Sequence, residues 1–347
     1  MDVAYHSSNQ FAPVLGVAIT SLFENNRDAD RIRVFVLGEG IGPENRERLS
    51  TLASIYGREI RIIPMPDINS RYSLGLKDVR SDWFFNSYSR LFLHDILPQD
   101  VDRVLYLDSD TLVLSSLEGL WGVDFGQCCF AAVIECLEPS YKRVFSIPDG
   151  EPYYNSGVLM ENLAALRETD VAGLVRRYAS ERGGYVFFME QTVLNAVFGR
   201  SVKTLPPRFN CYSMIECLSF DELMAFRRPD PYYSKEEVDA ARKDPAIAHL
   251  TNFFLVENRA WVEGSSHPLR AEYLKYKGLS PWRDVPDVSD GRDAGRRVLD
   301  RLVQAIPRQT AVRVAGSIDR SLRVRSVQKT QERLMESGKR NHRGGDE

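Results

Sequence analysis

Short apolar runs alternate with helical spacings through the first hundred residues. Val3–Tyr5 reads as a strand. Val14, Val17, Ala18, Ser21 and Leu22 then recur at helical intervals between Pro13 and Asn26, with Pro13 suited to a first turn. Ile32–Leu37, rich in β-branched and aromatic residues and followed by Gly38 and Gly40, predicts a second strand. Pro43–Tyr56 predicts a polar-faced helix carrying Leu49, Leu52 and Ile55, and Glu59–Ile63 a third strand stopped by Pro64 and Pro66. Ser87–Ile96 predicts a helix and Arg103–Leu107 a strand. Further on, Phe130–Ile134, Gly157–Met160 and Ala246–Leu250 read as strands, and Leu163–Ser180 and Gln191–Phe198 as helices. Pro206-Pro207 and Arg227–Pro231 mark loops. This alternation implies an α/β fold with a mostly parallel sheet covered by helices on both faces. Ligands of such sheets bind at the carboxyl ends of strands, which places the chemistry just after Tyr5 and just after Leu107.

After Trp282 the pattern changes. Aromatic residues vanish, arginine becomes frequent, and Val298, Leu299, Leu302, Val303 and Ile306 form an apolar helical stripe beside Arg297 and Arg301. A boundary near Pro286 is expected, dividing a globular unit (1–285) from a basic helical extension (286–347) whose end is expected to be disordered. The whole chain carries 45 Lys/Arg against 48 Asp/Glu, a formal charge of −3, which excludes a generic nucleic-acid binder. From Gly291 to Arg343, however, 14 basic residues face 5 acidic ones, so the remainder is acidic. Hydrophobic residues at 43% and charged residues at 27% fit a globular protein and exclude wholesale disorder or a polytopic membrane protein. The five cysteines, Cys128, Cys129, Cys136, Cys211 and Cys217, form no CxxC pair and fit a reducing compartment. Met1 leads straight into strand-like residues with no basic, apolar leader, and the apolar stretch Phe11 to Phe23 is too short to span a bilayer. A cytoplasmic protein is expected.

The densest chemical signal is Val104-Leu105-Tyr106-Leu107-Asp108-Ser109-Asp110. Two carboxylates one residue apart at a strand mouth can share a divalent cation and leave positions for phosphate oxygens. A strand ending in an acidic turn has the same local sequence. Two metal-dependent chemistries use such a strand. One is a phosphatase of the haloacid-dehalogenase type, whose nucleophile motif resembles Asp108-Ser109-Asp110-Thr111 but normally follows the first strand. Here three strands come first and no Gly-Asp-rich partner follows. The other is a nucleotide-sugar transferase of the GT-A fold, whose two carboxylates hold Mn²⁺ or Mg²⁺ against a diphosphate. A non-catalytic glycan-binding protein is a third reading.

The surroundings favour the transferase. From Met1 to about Asp284 the chain resembles glycosyltransferase family 8, the retaining enzymes that include bacterial lipopolysaccharide galactosyl- and glucosyltransferases. The matching pieces occur in the family's order: Ala4 to Asn9, Leu15 to Asn26, Tyr88 to Leu93, Val104 to Asp110, Tyr154 to Leu159, Glu190-Gln191, His249, and His267 through Trp282. The resemblance implies that Asp108, Asp110 and His249 ligate the metal, Mn²⁺ or Mg²⁺, and that UDP-sugar is the donor. His6, Ser8, Asn9, Ser109, Gly157 and Asn252 fall within its donor-binding pieces. Arg90 is expected to reach the donor, Arg259 to clamp the diphosphate, and Asn155 to touch sugar hydroxyls near the reacting carbon. Glu190 is expected to bind donor-sugar hydroxyls, with Gln191 below the anomeric carbon. A neutral Gln191 favours front-face attack over a covalent intermediate, which would need a placed carboxylate. The departures are specific. Ser8 stands where the family often has a uracil-reading aspartate, Asn252 replaces a glycine, Ala260 a proline, and Glu190 an aspartate. The acceptor implied is a saccharide or glycolipid of a surface glycan. For the basic tail a solvated appendage, a dimer arm and a peripheral membrane contact all suit the pattern.

Overall fold

A computed structural model describes residues 1–77, 82–256 and 258–343. Among the described residues there are ten strands: β1 Asp2–Ser8, β2 Arg33–Glu39, β3 Glu59–Pro64, β4 Arg103–Leu107, β5 Thr111–Val113, β6 Phe130–Ile134, β7 Tyr154–Asn162, β8 Val202–Thr204, β9 Cys211–Tyr212 and β10 Ile247–His249. Seven form the main sheet, in the order β3-β2-β1-β4-β7-β6-β8. Only β7 runs against its neighbours, so the sheet is mostly parallel as the alternation implies. β1, β2 and β4 are buried along nearly their whole length, which is why they read as apolar runs, whereas the edge strand β3 is only partly covered. The ends of β1 and β4 lie side by side, with Tyr5 opposite Leu107.

The helix Ala12–Glu24 carries Pro13 in its first turn and is buried from Val14 to Phe23. Such all-round burial follows from its place between the main sheet and a second layer, where Val14 and Val17 pack with Tyr273, Tyr276 and Trp261. Gly16 permits this approach: a Cβ there would lie 2.2 Å from the ring of fully buried Trp282. The Trp282 indole N–H donates to Asn45 Oδ1 at 2.9 Å, tying the chain beyond β10 back to the first helices.

A small sheet, β5-β10-β9, sits beside the main one. The expected strand Ala246–Leu250 contains β10, whereas β5 and β9, of three and two residues, are too short for periodicity to reveal. Two helices differ from expectation. Ser87–Ile96 is a 3-10 segment through Phe92 followed by one α-turn, Leu93–Ile96. The tight winding accompanies an inward guanidinium, since Arg90 donates to the Ser87 and Ser156 carbonyls. Leu163–Ser180 is two helices, Leu163–Arg167 and Val171–Ser180. Asp170 starts the second by accepting the Gly173 N–H at 2.9 Å, a capping bond that competes with continuing the first.

Beyond Pro286 lie helices Ala294–Ala305, Arg308–Ile318 and Val324–Arg343. The second packs on the helix Phe220–Phe226, where a Cβ on Gly316 would meet the Phe226 carbonyl at 2.5 Å. Arg308 pairs with Glu222 at 2.6 Å, and buried Asp319 with Arg227 at 3.3 Å. Residues on the two sides of Pro286 therefore pack against each other. The far end of the chain, 344–347, where disorder was expected, lies outside the described residues. Among the described residues no helix is long and apolar enough to cross a membrane.

Glu161, near the end of β7, is fully buried and neither carboxylate oxygen has a hydrogen-bond partner among the described residues. Burial, opposed only by Arg90, pushes this carboxyl well above the usual range. An unfolded glutamate ionises near pH 4.3, so its folded-state contribution is fully present below that value and is lost as pH rises toward the raised folded value. Glu161→Gln is therefore expected to melt alongside the wild type near pH 4 and at least about 2–4 °C above it at pH 8. Melting curves at the two pH values check this; a constant gap would refute it.

Candidate active site

Asp108 and Asp110 follow β4, and the long-range partner that meets them is set by sheet register. His249 ends β10, whose antiparallel pairing with β5 places it opposite Thr111. Leu250 N–H donates to the Asp110 carbonyl at 2.8 Å, and Thr111 Oγ1 to the Asp108 carbonyl at 2.8 Å, which fixes the turn. One ligand atom from each of Asp108, Asp110 and His249 lies within 4.8 Å of the others. His249 Nε2 is 3.2 Å from Asp110 Oδ1 and 3.7 Å from Asp108 Oδ2.

The other oxygen of each aspartate faces an arginine. Arg90 Nη2 is 2.9 Å from Asp108 Oδ1, and Arg259 Nη1 is 2.7 Å from Asp110 Oδ2. This symmetry leaves Asp108 Oδ2, Asp110 Oδ1 and His249 Nε2 converging, two hard oxygens and one imidazole nitrogen. That donor set suits Mn²⁺ or Mg²⁺. Gly157 makes the room. A Cβ there would stand 2.3 Å from His249 Cε1 and 2.8 Å from Asp108 Oδ2.

The electrostatics follow from burial and pairing. Burial raises the Asp108 carboxyl, outweighing the opposing pull of Arg90 and His249. Burial alone would raise Asp110 too, but His249 and Arg259 hold it well below the usual carboxylate range. His249 would be lowered by burial; the Asp110 and Asp108 carboxylates outweigh that and hold it above an ordinary imidazole.

The remaining residues divide. Arg90, stacked 4.5 Å over the Tyr106 ring, also lies 3.5 Å from Glu190, so it bridges β4 and the helix Met189–Phe198. Phe188 and Met189 enter that helix with φ of 54° and 48°, left-handed values that cost non-glycine residues energy and concentrate at functional sites. Gln191 Oε1 accepts the Ser156 N–H at 3.0 Å. Glu190 Oε1 lies 3.3 Å from Ser156 Oγ, while its Oε2 is buried with no hydrogen-bond partner among the described residues. Asn155 Oδ1 accepts the Gly157 N–H at 2.9 Å. Ser109 Oγ donates to the His6 carbonyl at 2.6 Å, joining the ends of β4 and β1. The His6 ring turns to Glu39, with Nε2 2.6 Å from Oε1, and Ser8 sits in register with Glu39. Asn9 is occupied structurally, accepting from Gly42 N–H at 2.8 Å and from Asn45 at 2.9 Å. Asn252 is exposed, three residues beyond His249.

Three nearby residues escaped sequence reasoning. Glu135 follows β6 as Asp108 follows β4, and its carboxylate accepts from Asn155 Nδ2; an acidic residue at a buried strand's end was the available signal. Asn210, fully buried, accepts or donates at both amide atoms, and nothing in the pattern around Arg208-Phe209-Asn210 marks it. Ser156, between Asn155 and Gly157, links Arg90, Glu190 and Gln191.

A mostly parallel sheet thus gathers an acidic pair, a histidine and two arginines at its strand ends, an arrangement in keeping with the GT-A fold. The model of glycosyl transferase family 8 matches residues 2–252, and the chain belongs to that family. It is similar to general stress protein A of Bacillus subtilis, 23% identical over 288 residues, covering 82% of this chain and 96% of the relative. Lipopolysaccharide 1,2-glucosyltransferase of Escherichia coli is 24% identical over 290 residues, 82% of this chain and 80% of its own. Among solved structures, the galactosyltransferase LgtC in complex with donor and acceptor sugar analogs superposes with a TM-score of 0.66 at 26% identity. That match covers 81% of this chain and 96% of LgtC.

Proposed function

We propose that the protein transfers glucose or galactose from its UDP-sugar, with retention at the anomeric carbon, to a sugar of a surface glycan such as lipopolysaccharide or capsule. Asp108, Asp110 and His249 would hold Mn²⁺ or Mg²⁺, and Arg259 and Arg90 would face the diphosphate and the sugar. The observation that carries this reading is the cluster in which Asp108, Asp110 and His249 are joined to the Glu190–Gln191 pair through Arg90 and Ser156. Glu190 Oε2, a buried acceptor with no partner among the described residues, suits a donor-sugar hydroxyl. Gln191 is neutral and held by the Ser156 N–H, which fits positioning of the anomeric carbon better than covalent attack. In front-face transfer the acceptor hydroxyl loses its proton to the departing phosphate oxygen. The phosphatase reading is disfavoured: an arginine, not a second acidic pair, meets Asp108.

Relatives named for lipopolysaccharide glycosyl transfer support the acceptor class. A cavity of about 500 Å³, lined by Phe187, Phe188, Val327 and Met189, the residue before Glu190, is a candidate acceptor region. A cytoplasmic protein with peripheral membrane contact fits the tail, whose Val298, Leu302, Ile306, Val314, Ile318 and Leu322 are all exposed among arginines. The full chain should float with anionic liposomes and a form ending near Pro286 should not; equal flotation rules the contact out. The transfer is tested by UDP release across UDP-sugars with and without Mn²⁺. Release should require the metal and favour one hexose, and Mn²⁺ with UDP should raise the melting temperature. Absence of both effects would end the proposal.

A further inference from the structure

A chain of hydrogen bonds connects one metal-ligand candidate to the other, and its polarity can be read from a single fixed donor. The Gly157 backbone N–H can only donate, and it meets Asn155 Oδ1 at 2.9 Å. That atom is therefore the Asn155 carbonyl oxygen, and the Asn155 amide nitrogen turns the other way, to Glu135. The Asn210 atom 2.7 Å from Asn155 Oδ1 must then be a donor, Nδ2. This aims Asn210 Oδ1 at His249 Nδ1, 3.1 Å away. An oxygen acceptor there requires Nδ1 to carry a proton, so Nε2 is the nitrogen that faces Asp108 and Asp110 and the one left to give its lone pair to a cation bound between them. From the same glycine the chain closes on the other side, because the Gly157 carbonyl accepts the Asp108 N–H at 2.8 Å.

We propose that Asn210 is a positioning residue that fixes His249 in the Nδ1–H form and orients its Nε2 for a divalent cation, while coupling that cation site to Asn155. The inference rests on the reading of Asp108, Asp110 and His249 as metal ligands. Asn210 is fully buried in the turn Pro207–Asn210, so water does not replace its amide. Partners that fix a ligating imidazole change metal affinity about 10- to 100-fold when removed.

The test is Mn²⁺ affinity, read by electron paramagnetic resonance of the free ion, in full-length wild type, Asn210→Ala and Asn210→Asp. Asn210→Ala removes the acceptor and should weaken Mn²⁺ binding about 10- to 100-fold. Asn210→Asp keeps an acceptor for Nδ1 but turns an oxygen on Asn155 Oδ1. It should hold Mn²⁺ within about threefold of wild type while raising the KM for UDP-sugar. A role in packing alone would leave the KM of the nearly isosteric Asn210→Asp at the wild-type value. Wild-type affinity in Asn210→Ala, or a loss in Asn210→Asp as large as in Asn210→Ala, would overturn the inference. If Asn210→Ala fails to fold, as circular dichroism shows, Asn210→Asp decides alone by keeping or losing Mn²⁺. A wild type that takes up no Mn²⁺ would instead overturn the metal-site reading itself.

Discussion

Replacing Asp108 or Asp110 by alanine is expected to lower metal-dependent UDP-sugar turnover at least about a thousandfold, some 4 kcal/mol of transition-state stabilisation. Each substitution removes one converging oxygen and leaves a cation behind. Without Asp108, Arg90 keeps Glu190 and the Ser156 carbonyl as partners. Without Asp110, Arg259 retains the Leu250 carbonyl at 2.8 Å. Because both arginines keep acceptors, the fold should survive and circular dichroism should be unchanged. The sharper comparison is Asp108→Asn, which keeps shape and loses charge. A carboxylate that served only to pair with Arg90 would tolerate the amide, whereas a metal ligand would not. Undiminished turnover in either alanine variant refutes the metal assignment.

Gly157→Ala is the second large effect, and it acts through space alone. The residue sits within β7, where its φ is not positive, so alanine suits the backbone. The added methyl would nevertheless stand 2.3 Å from His249 Cε1 and 2.8 Å from Asp108 Oδ2. Both are stiffly held, His249 by Asn210 and Asp108 by Arg90 and by the Tyr106 hydroxyl at 3.0 Å. Overpacking of this kind costs about 1–3 kcal/mol. The larger consequence is a spread ligand set. Turnover and Mn²⁺ affinity are expected to fall together by about a hundredfold or more, equivalent to roughly 3 kcal/mol. Calorimetric titration with Mn²⁺ checks this. A variant that binds the ion as the wild type does would show that His249 and Asp108 do not approach across Gly157 when the site works.

The Glu190–Gln191 pair shows how much of the site could be read before the fold. Their place at a helix start followed from amphipathic spacing, and the structure begins the helix at Met189. What spacing did not convey is that Ser156 receives both side chains and that Arg90 reaches Glu190 from a segment a hundred residues earlier. Asn9 illustrates the reverse. It lies in the right motif at the right strand end, yet its side chain holds Gly42 and Asn45.

The sequence alone determined the parallel half of the sheet and the acidic turn after Leu107. Burial on both faces demands unbroken apolar runs, and a run ending in two carboxylates is visible without any partner. Periodicity also carried the first two long helices. Only the tertiary structure decided that β10 pairs with β5, bringing His249 to Asp110. It also decided that Arg90 winds into a 3-10 turn, and that Asn210 and Glu135 join Asn155. Local patterns report how each residue divides between water and core. Register between distant strands, and the direction of a buried amide, depend on atoms that chain closure brings together, and these leave no period to read.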